Sequence, residues 1–265
     1  MFSKNNDGFN PLLNDIYYKV TNHEEFHDGI KYKNGLNFLN REFQEKGTRV
    51  PGGLYFTTLK NIGLYMTDGY NIRIVLIPNL PQVKIVRDRN KYRSNMVILG
   101  KKYSLIDKNT YDIFSLEHRD IPISICKYAV EQEALEFLLW IKTKWRWDLY
   151  LCDYIAEQGN LKLLMWARNN NYLIGLSVIN TAAKYGHLNI LRWFKKNNFE
   201  ISSDASKFAT IAGKIQILQW LHKYKYPFNS EICAIAYLSD QLHILEWLIS
   251  IGYSCGFYIH EISNR

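Results

Sequence analysis

Residues 182–193 read AAKYGHLNILRW, and the same pattern occurs in four further copies. These are AVEQEALEFLLW (129–140), IAEQGNLKLLMW (155–166), ATIAGKIQILQW (209–220) and AYLSDQLHILEW (236–247). Their closing residues, Trp140, Trp166, Trp193, Trp220 and Trp247, stand 26, 27, 27 and 27 residues apart. One residue type could keep such a step by chance, but others keep it too. Leu135, Leu161, Leu188, Ile215 and Leu242 sit five before each Trp, and Leu138, Leu164, Leu191, Leu218 and Leu245 two before it. Gly159, Gly186 and Gly213 sit seven before, where the last copy has Asp240. Self-similarity at a fixed period decides architecture before any local reading.

Each copy predicts two short helices. Small residues such as Ala182 and Ala183 let the first helix pack closely, and the glycine ends it by adopting a left-handed conformation. Leu188 and Leu191 recur at helical spacing and give the second helix an inward apolar face. Lys195, Lys196, Asn197 and Asn198 then close it with cations and turn formers. One pair cannot bury its own face, so the copies must stack. The Trp series is expected to be a packing ridge on the second helices. Cys126, Cys152 and Cys233 share one position and read as small core residues. His187 and His243 read as turn hydrogen-bonding or exposed residues.

Residues 1–106 show no trace of the period. Ile16–Val20, Leu54–Thr57, Ile72–Ile77, Val83–Val86 and Met96–Leu99 suit strands. Pro51-Gly52-Gly53 and Pro78-Asn79 mark turns, and Thr57 or Thr58 is placed to cap a helix over LKNIGLYM. The sequence therefore predicts a small α+β module at 1–106, a linker at 107–121, and an all-α solenoid of about five short helix-pair units plus a partial one at 122–265. In the last segment, GYSCGFYIHEISNR, the apolar run Phe257, Tyr258 and Ile259 is expected to fold back over residues 242–248 as a cap, or else to meet a partner.

Composition narrows the function classes. At 47% hydrophobic and 22% charged residues the chain can bury a core and is not of disordered composition. The net charge of +8 is spread: residues 1–120 hold 18 Lys and Arg against 13 Asp and Glu, and residues 121–265 hold 15 against 12. The densest cluster, Lys84, Arg87, Arg89, Lys91, Arg93, Lys101 and Lys102, reads as solvated surface, which argues against nucleic acid as partner. No apolar leader opens the chain and no stretch reaches the roughly 18 to 20 apolar residues of a membrane span. A soluble, intracellular protein is expected. The four cysteines have neither metal-ligand spacing nor the density of a secreted disulfide scaffold. Phosphate-loop, dinucleotide, zinc-protease and serine-hydrolase motifs are absent, which lowers the case for an enzyme without excluding one. No cofactor and no metal are expected.

Three resemblances add to this reading. GHLNILRW, within AAKYGHLNILRWFKKNNF, resembles the A-A-x-x-G-H-L-x-x-L-x-W-L units of the ankyrin repeat proteins of large amoeba-infecting DNA viruses. An ordinary ankyrin unit has 33 residues and a T-P-L-H turn, whereas here the unit is shorter and lacks that turn, so the β-hairpin fingers should be shortened or absent. The N-terminal stretches YYKVTNHEEFHDGIKYKNGLN and PGGLYFTTLKNIGLYMTDGYNIRIVLIP are similar to a module that precedes repeats in the same viral families. The resemblance implies a non-enzymatic, viral protein-binding scaffold whose unnamed protein partner lies on the concave face, with the host cytoplasm or the virion as its location. GGLYFTTLKNIGLY also resembles the G-x-Y-F-A/T…S…Y stretch of ADP-ribosyltransferases. That alternative implies a nicotinamide site flanked by Tyr55 and Tyr65, with His23 or His27 on its ribose and an acid to complete it; Asn61 stands where the serine usually follows.

Overall fold

A computed structural model describes residues 15–47, 52–117, 121–144 and 148–255. The start of the chain, Pro51, and the Phe257–Ile259 run lie outside the described residues. The chain divides into two compact units, Met1–Trp145 and Arg146–Arg265.

The first unit is built on β1 (Tyr17–Thr21), β2 (Phe26–His27), β3 (Ile30–Lys31), β4 (Gly35–Phe38), β5 (Leu54–Thr57), β6 (Asn71–Leu76), β7 (Ile85–Asp88), β8 (Lys91–Ser94) and β9 (Met96–Ser104). Seven of these form one sheet in the order β4-β9-β6-β1-β5-β8-β7, and β2 pairs with β3 as a separate hairpin. Neighbouring strands are antiparallel throughout. Alternating apolar residues put Tyr17, Leu54, Phe56, Val75, Val97 and Leu99 into one buried cluster with Tyr32 and Ile77, the pattern of a sheet with one packed face. β1 pairs with β6 over five consecutive residues, Tyr17↔Val75 to Thr21↔Asn71, but shares with β5 the single register pair Tyr18↔Thr57.

All five expected strands are present, to within a residue or two at most ends. Four others, β2, β3, β4 and β8, lie in sequence too polar to read as strand. The segment LKNIGLYM forms a 3-10 helix, Leu59–Asp68, rather than an α-helix; Thr58 occupies its N-cap, but the side chain makes no capping hydrogen bond. The basic cluster is not uniformly surface either. Arg93 is fully buried, and its guanidinium donates to the carbonyls of Gln44, Lys46 and Gly47. It anchors the 43–47 loop, with Phe43 against it. Buried guanidinium is tolerated when its donors are met by carbonyls in this way.

The segment read as a linker contains α1 (Lys108–Ile113), capped by the Asp107 carboxylate accepting from the Asn109 amide. Tyr111 is buried, donating its hydroxyl to the Leu105 carbonyl at 2.8 Å. Phe114 packs edge-on against Tyr18 and Tyr103. The first helix pair, α2 (Ile123–Glu131) and α3 (Leu135–Lys144), belongs to this unit. Tyr128 stacks on Tyr70 with ring centres 3.8 Å apart, and Trp140 lies 5.0 Å from Tyr111.

The second unit is entirely helical among its described residues: α4 (Asp148–Glu157), α5 (Leu161–Asn169), α6 (Leu176–Tyr185), α7 (Leu188–Lys196), α8 (Asp204–Ile211), α9 (Ile215–Lys223), α10 (Ile232–Leu238) and α11 (Leu242–Ser250). The first helices α4, α6, α8 and α10 pack in succession, each on the next, and each carries its second helix behind it. Ala182, Ala183, Ala205, Ala209 and Ala236 are fully buried at these contacts, where a small side chain permits close approach. No strand occurs among the described residues from 121 to 255, so hairpin fingers are absent there.

Candidate functional site

The five Trp residues each fall sixth in a second helix, and the Leu or Ile five residues earlier is always its first residue. Leu138, Leu164, Leu191, Leu218 and Leu245 are at most 1% exposed, and they form the apolar frame. The Trp side chains are less deep. Only Trp220 is buried; the other four are half-buried. Each meets aromatic neighbours instead, Trp166 against Tyr172, Trp193 against Phe199 and Trp220 against Tyr226. Those partners stand six residues after Trp166, Trp193 and Trp220, and Tyr253 holds the same place after Trp247, whereas Arg146 stands there after Trp140. Changing between Tyr and Phe hid them from a search for identical residues.

Left-handed backbone recurs where the first helix ends, at Gly159, Gly186 and Gly213 as expected, and also at Glu133 and Asp240. It recurs a second time after the second helix, at Asn171, Asn198, Lys225 and Gly252. Both turns are thus left-handed caps. Consecutive copies are stitched by side chains that reach into the neighbouring copy, one backward and one forward. The His187 Nε2 lies 2.8 Å from the Glu157 carbonyl, so as donor it caps the end of the preceding first helix. The Arg168 guanidinium donates to Asn197 Oδ1 at 2.7 Å and covers the rings of Trp193 and Phe199. His187 is therefore a structural hydrogen-bond donor, while His243 is exposed.

Cys126 and Cys152 are buried, in keeping with small core residues. Cys233 differs: it is half-buried and bonded to Cys255, with Cα atoms 5.4 Å apart. The pairing was not legible from spacing. It ties the segment after α11 back to α10.

In the first unit, a small, open cavity of about 40 Å³ lies where β1 and β5 meet. Tyr18, Lys19, His27, Tyr55, Tyr65, Asp68 and Lys91 supply its functional side chains. Tyr55 and Tyr65, singled out from sequence, do line one space, and His27 lines it with them. His23 does not; it sits exposed in the turn before β2. Lys19, missed by sequence reading, is 5% exposed. Its ammonium donates to the Tyr55 carbonyl at 3.2 Å, lies 3.3 Å from His27 Nδ1, and sits 4.6 Å from the centre of the Tyr32 ring. Desolvation lowers its pKa from 10.5 to about 8. Burial, then the charge on Lys19, holds the His27 imidazole below its ordinary value and hence neutral near pH 7. Burial raises both Tyr55 and Tyr65, which stay protonated. The Lys91 ammonium caps the Tyr55 ring at 4.0 Å. The acid in this space is Asp68, three residues after Tyr65, and the cavity holds no glutamate among its lining residues.

No group of three or more His, Cys, Asp or Glu side chains placed to hold a metal occurs among the described residues. Among them, no helix is long and apolar enough to cross a membrane.

Comparison with known proteins places these features. The chain is 46% identical over 100 residues to the uncharacterized protein R869 of Acanthamoeba polyphaga mimivirus, spanning 36% of this chain and 72% of that protein. It is 39% identical over 106 residues to "Putative ankyrin repeat protein R868" of the same virus, spanning 38% of this chain and 53% of the relative. A third, "Putative ankyrin repeat protein R838", is 35% identical over 111 residues, 37% of this chain and 40% of the relative. The chain thus covers about half or less of the length of these two ankyrin-type relatives. No family model matches, and no solved structure matches.

Proposed function

Since the chain belongs to the mimivirus family of ankyrin repeat proteins, we propose that it is a non-enzymatic scaffold that binds a protein through its helix-pair array. On this reading residues 122–265 are a short-unit, ankyrin-like array that acts in the infected host cell. Residues 1–106 are a separate module carried in front of it. The observation that carries the proposal is the contrast between a constant frame and a varied surface. The fourth residue of every second helix is a buried leucine, while the fifth is exposed and reads Leu139, Met165, Arg192, Gln219 and Glu246. Folding demands the first series and not the second, and repeat proteins place partner specificity in surface positions of this kind.

The test is capture of partners by the full chain from infected cells, with and without Met165, Arg192 and Gln219 replaced by Ser. The proposal expects the triple variant to keep its thermal midpoint and lose the captured partner. Retention of the same partner at the same yield refutes binding through this face.

One observation favours a second reading, of ADP-ribosyltransferase type. Tyr55 and Tyr65, separated by ten residues, converge on a single cavity. Against it stand the exposed position of His23 and the lack of a glutamate lining the cavity. Saturable binding of a nicotinamide dinucleotide, abolished by Tyr65→Ala, decides for this reading, and its absence decides against.

A further inference from the structure

Lys19 and His27 of the β1/β5 cavity, with Asp28 beside His27 but outside the cavity lining, form a constellation that protein binding does not use. Lys19 Nζ lies 3.3 Å from His27 Nδ1, and on the other side of the same ring His27 Nε2 lies 3.7 Å from Asp28 Oδ1. Amine, imidazole and carboxylate therefore follow one another across the ring, in the order of nucleophile, base and orienting acid that activates a nucleophile elsewhere in proteins. Such distances are often looser in an unliganded site than in the reacting one.

We propose that Lys19 is a nucleophilic amine that captures a small, flat aldehyde in this cavity as an imine. Three features select that ligand class. Tyr18, Tyr55 and Tyr65 are among the residues that line it, an aromatic set that suits a planar, largely apolar body. Lys19 is the amine set deepest, while Lys91 is held over the Tyr55 ring by its cation–π contact. Finally, the hydrogen bond between Lys19 and His27 is itself the path by which the ammonium loses its proton. The groups acting on Lys19 are Asp28, Asp68 and Glu25, which favour its charged form, and Lys91, which opposes it; burial outweighs them all. The amine is therefore available a few pH units below an exposed lysine.

His27 Nδ1 takes a proton from the ammonium, and the imidazolium is stabilised by Asp28. The nitrogen lone pair forms a bond to the aldehyde carbon while the carbonyl π pair moves to oxygen, which takes the proton back from His27. The carbinolamine then loses its hydroxyl with a nitrogen proton as water, and the C=N bond forms. In sum one ammonium and one aldehyde give one protonated imine and one water, with charge conserved and no oxidant or reductant consumed.

The experiment treats the full chain with benzaldehyde and cyanoborohydride, which traps an imine as a stable secondary amine, and maps every lysine by mass spectrometry. Lys19 should be modified at least ten-fold faster than exposed lysines such as Lys60 or Lys127, with a rate that rises through about pH 8. His27→Gln, which keeps a polar group but no base, should slow Lys19 at least ten-fold and leave the other lysines unchanged. Modification of Lys19 no faster than the exposed lysines overturns the proposal, and because that comparison is made within wild-type protein it does not depend on any variant folding. Equal rates in wild type and a folded His27→Gln variant overturn the role of the imidazole.

Discussion

Gly159 and Gly186 occupy the same place in successive copies, yet replacing them with alanine should have different costs. Both are left-handed, at φ of +70° and +83°, and a non-glycine residue held there loses roughly 1–2 kcal/mol. The difference lies in what the new methyl meets. At Gly186 a Cβ would lie 3.2 Å from Lys214 Cδ, in the middle of a flexible stem that has room to move. At Gly159 it would lie 2.5 Å from His187 Nδ1 and 2.6 Å from Cε1, on a rigid ring. That ring is pinned by its 2.8 Å hydrogen bond to the Glu157 carbonyl, so it must slide and surrender a bond with a net contribution of about 0.5–1.5 kcal/mol. Gly159→Ala should therefore destabilise by about 2–3 kcal/mol and Gly186→Ala by about 1–2 kcal/mol. Urea denaturation of both variants measures this, and repeating Gly159→Ala in a His187→Ala background isolates the ring. There the cost should fall to that of Gly186→Ala. A coupling energy under about 0.5 kcal/mol, the level of non-interacting sites, refutes the account of His187 as the element that locks one unit onto the one before.

Three further outcomes follow from the packing and the charges. Leu218→Ala, at a fully buried frame position, should cost about 2–5 kcal/mol, and Trp193→Ala, half-buried and resting on Arg168 and Phe199, should cost less; denaturation midpoints compare the two, and the reverse order refutes the assignment of frame and ridge. Reducing Cys233–Cys255, which closes 22 residues of sequence, should lower stability by about 3 kcal/mol on the chain-entropy model, measured as a fall in thermal midpoint with dithiothreitol that Cys255→Ser abolishes. Lys19 has a folded pKa near 8 against 10.5 in the unfolded chain, so between those values the unfolded state binds more protons and stability rises with pH. The stability of wild type relative to Lys19→Met should therefore climb from pH 8 to about 10.5 and be flat below; a gap that narrows in the other direction would falsify the burial of that charge.

How far the sequence anticipated the molecule differs between the two units, and the reason is periodicity. The helix pairs announce themselves because the same leucine must be buried in each copy, so selection by packing repeats in letters. Glu133 and Asp240 were harder to see, since a left-handed turn accepts them where a glycine is merely easier. In the first unit nothing repeats, and polar strands escape notice. The hairpin β2–β3 rests on Asn22, whose Oδ1 accepts from the Phe26 amide while its Nδ2 donates to the Phe26 carbonyl. Of the candidate cavity, Tyr55 and Tyr65 were visible through a local motif. Lys19 was not, because a lysine in IYYKV reads as a solvent-facing residue of an edge. Its burial is decided by His27 and Tyr32, which arrive from the following hairpin and are distant in any strand pattern.

The lone register pair between β1 and β5 gives the sheet a line of weakness. On one side, β4, β9, β6 and β1 are joined by multi-residue ladders, with one register shift between β6 and β9 at Arg73/Val75; on the other, β5, β8 and β7 are joined by unbroken ones. Across the line Tyr18 meets Thr57, and the Lys19 ammonium reaches the Tyr55 carbonyl in place of a further backbone donor. Two ribbons joined this way breathe as separate cooperative units. Amide exchange should then report two protection plateaus within a single sheet, one per ribbon.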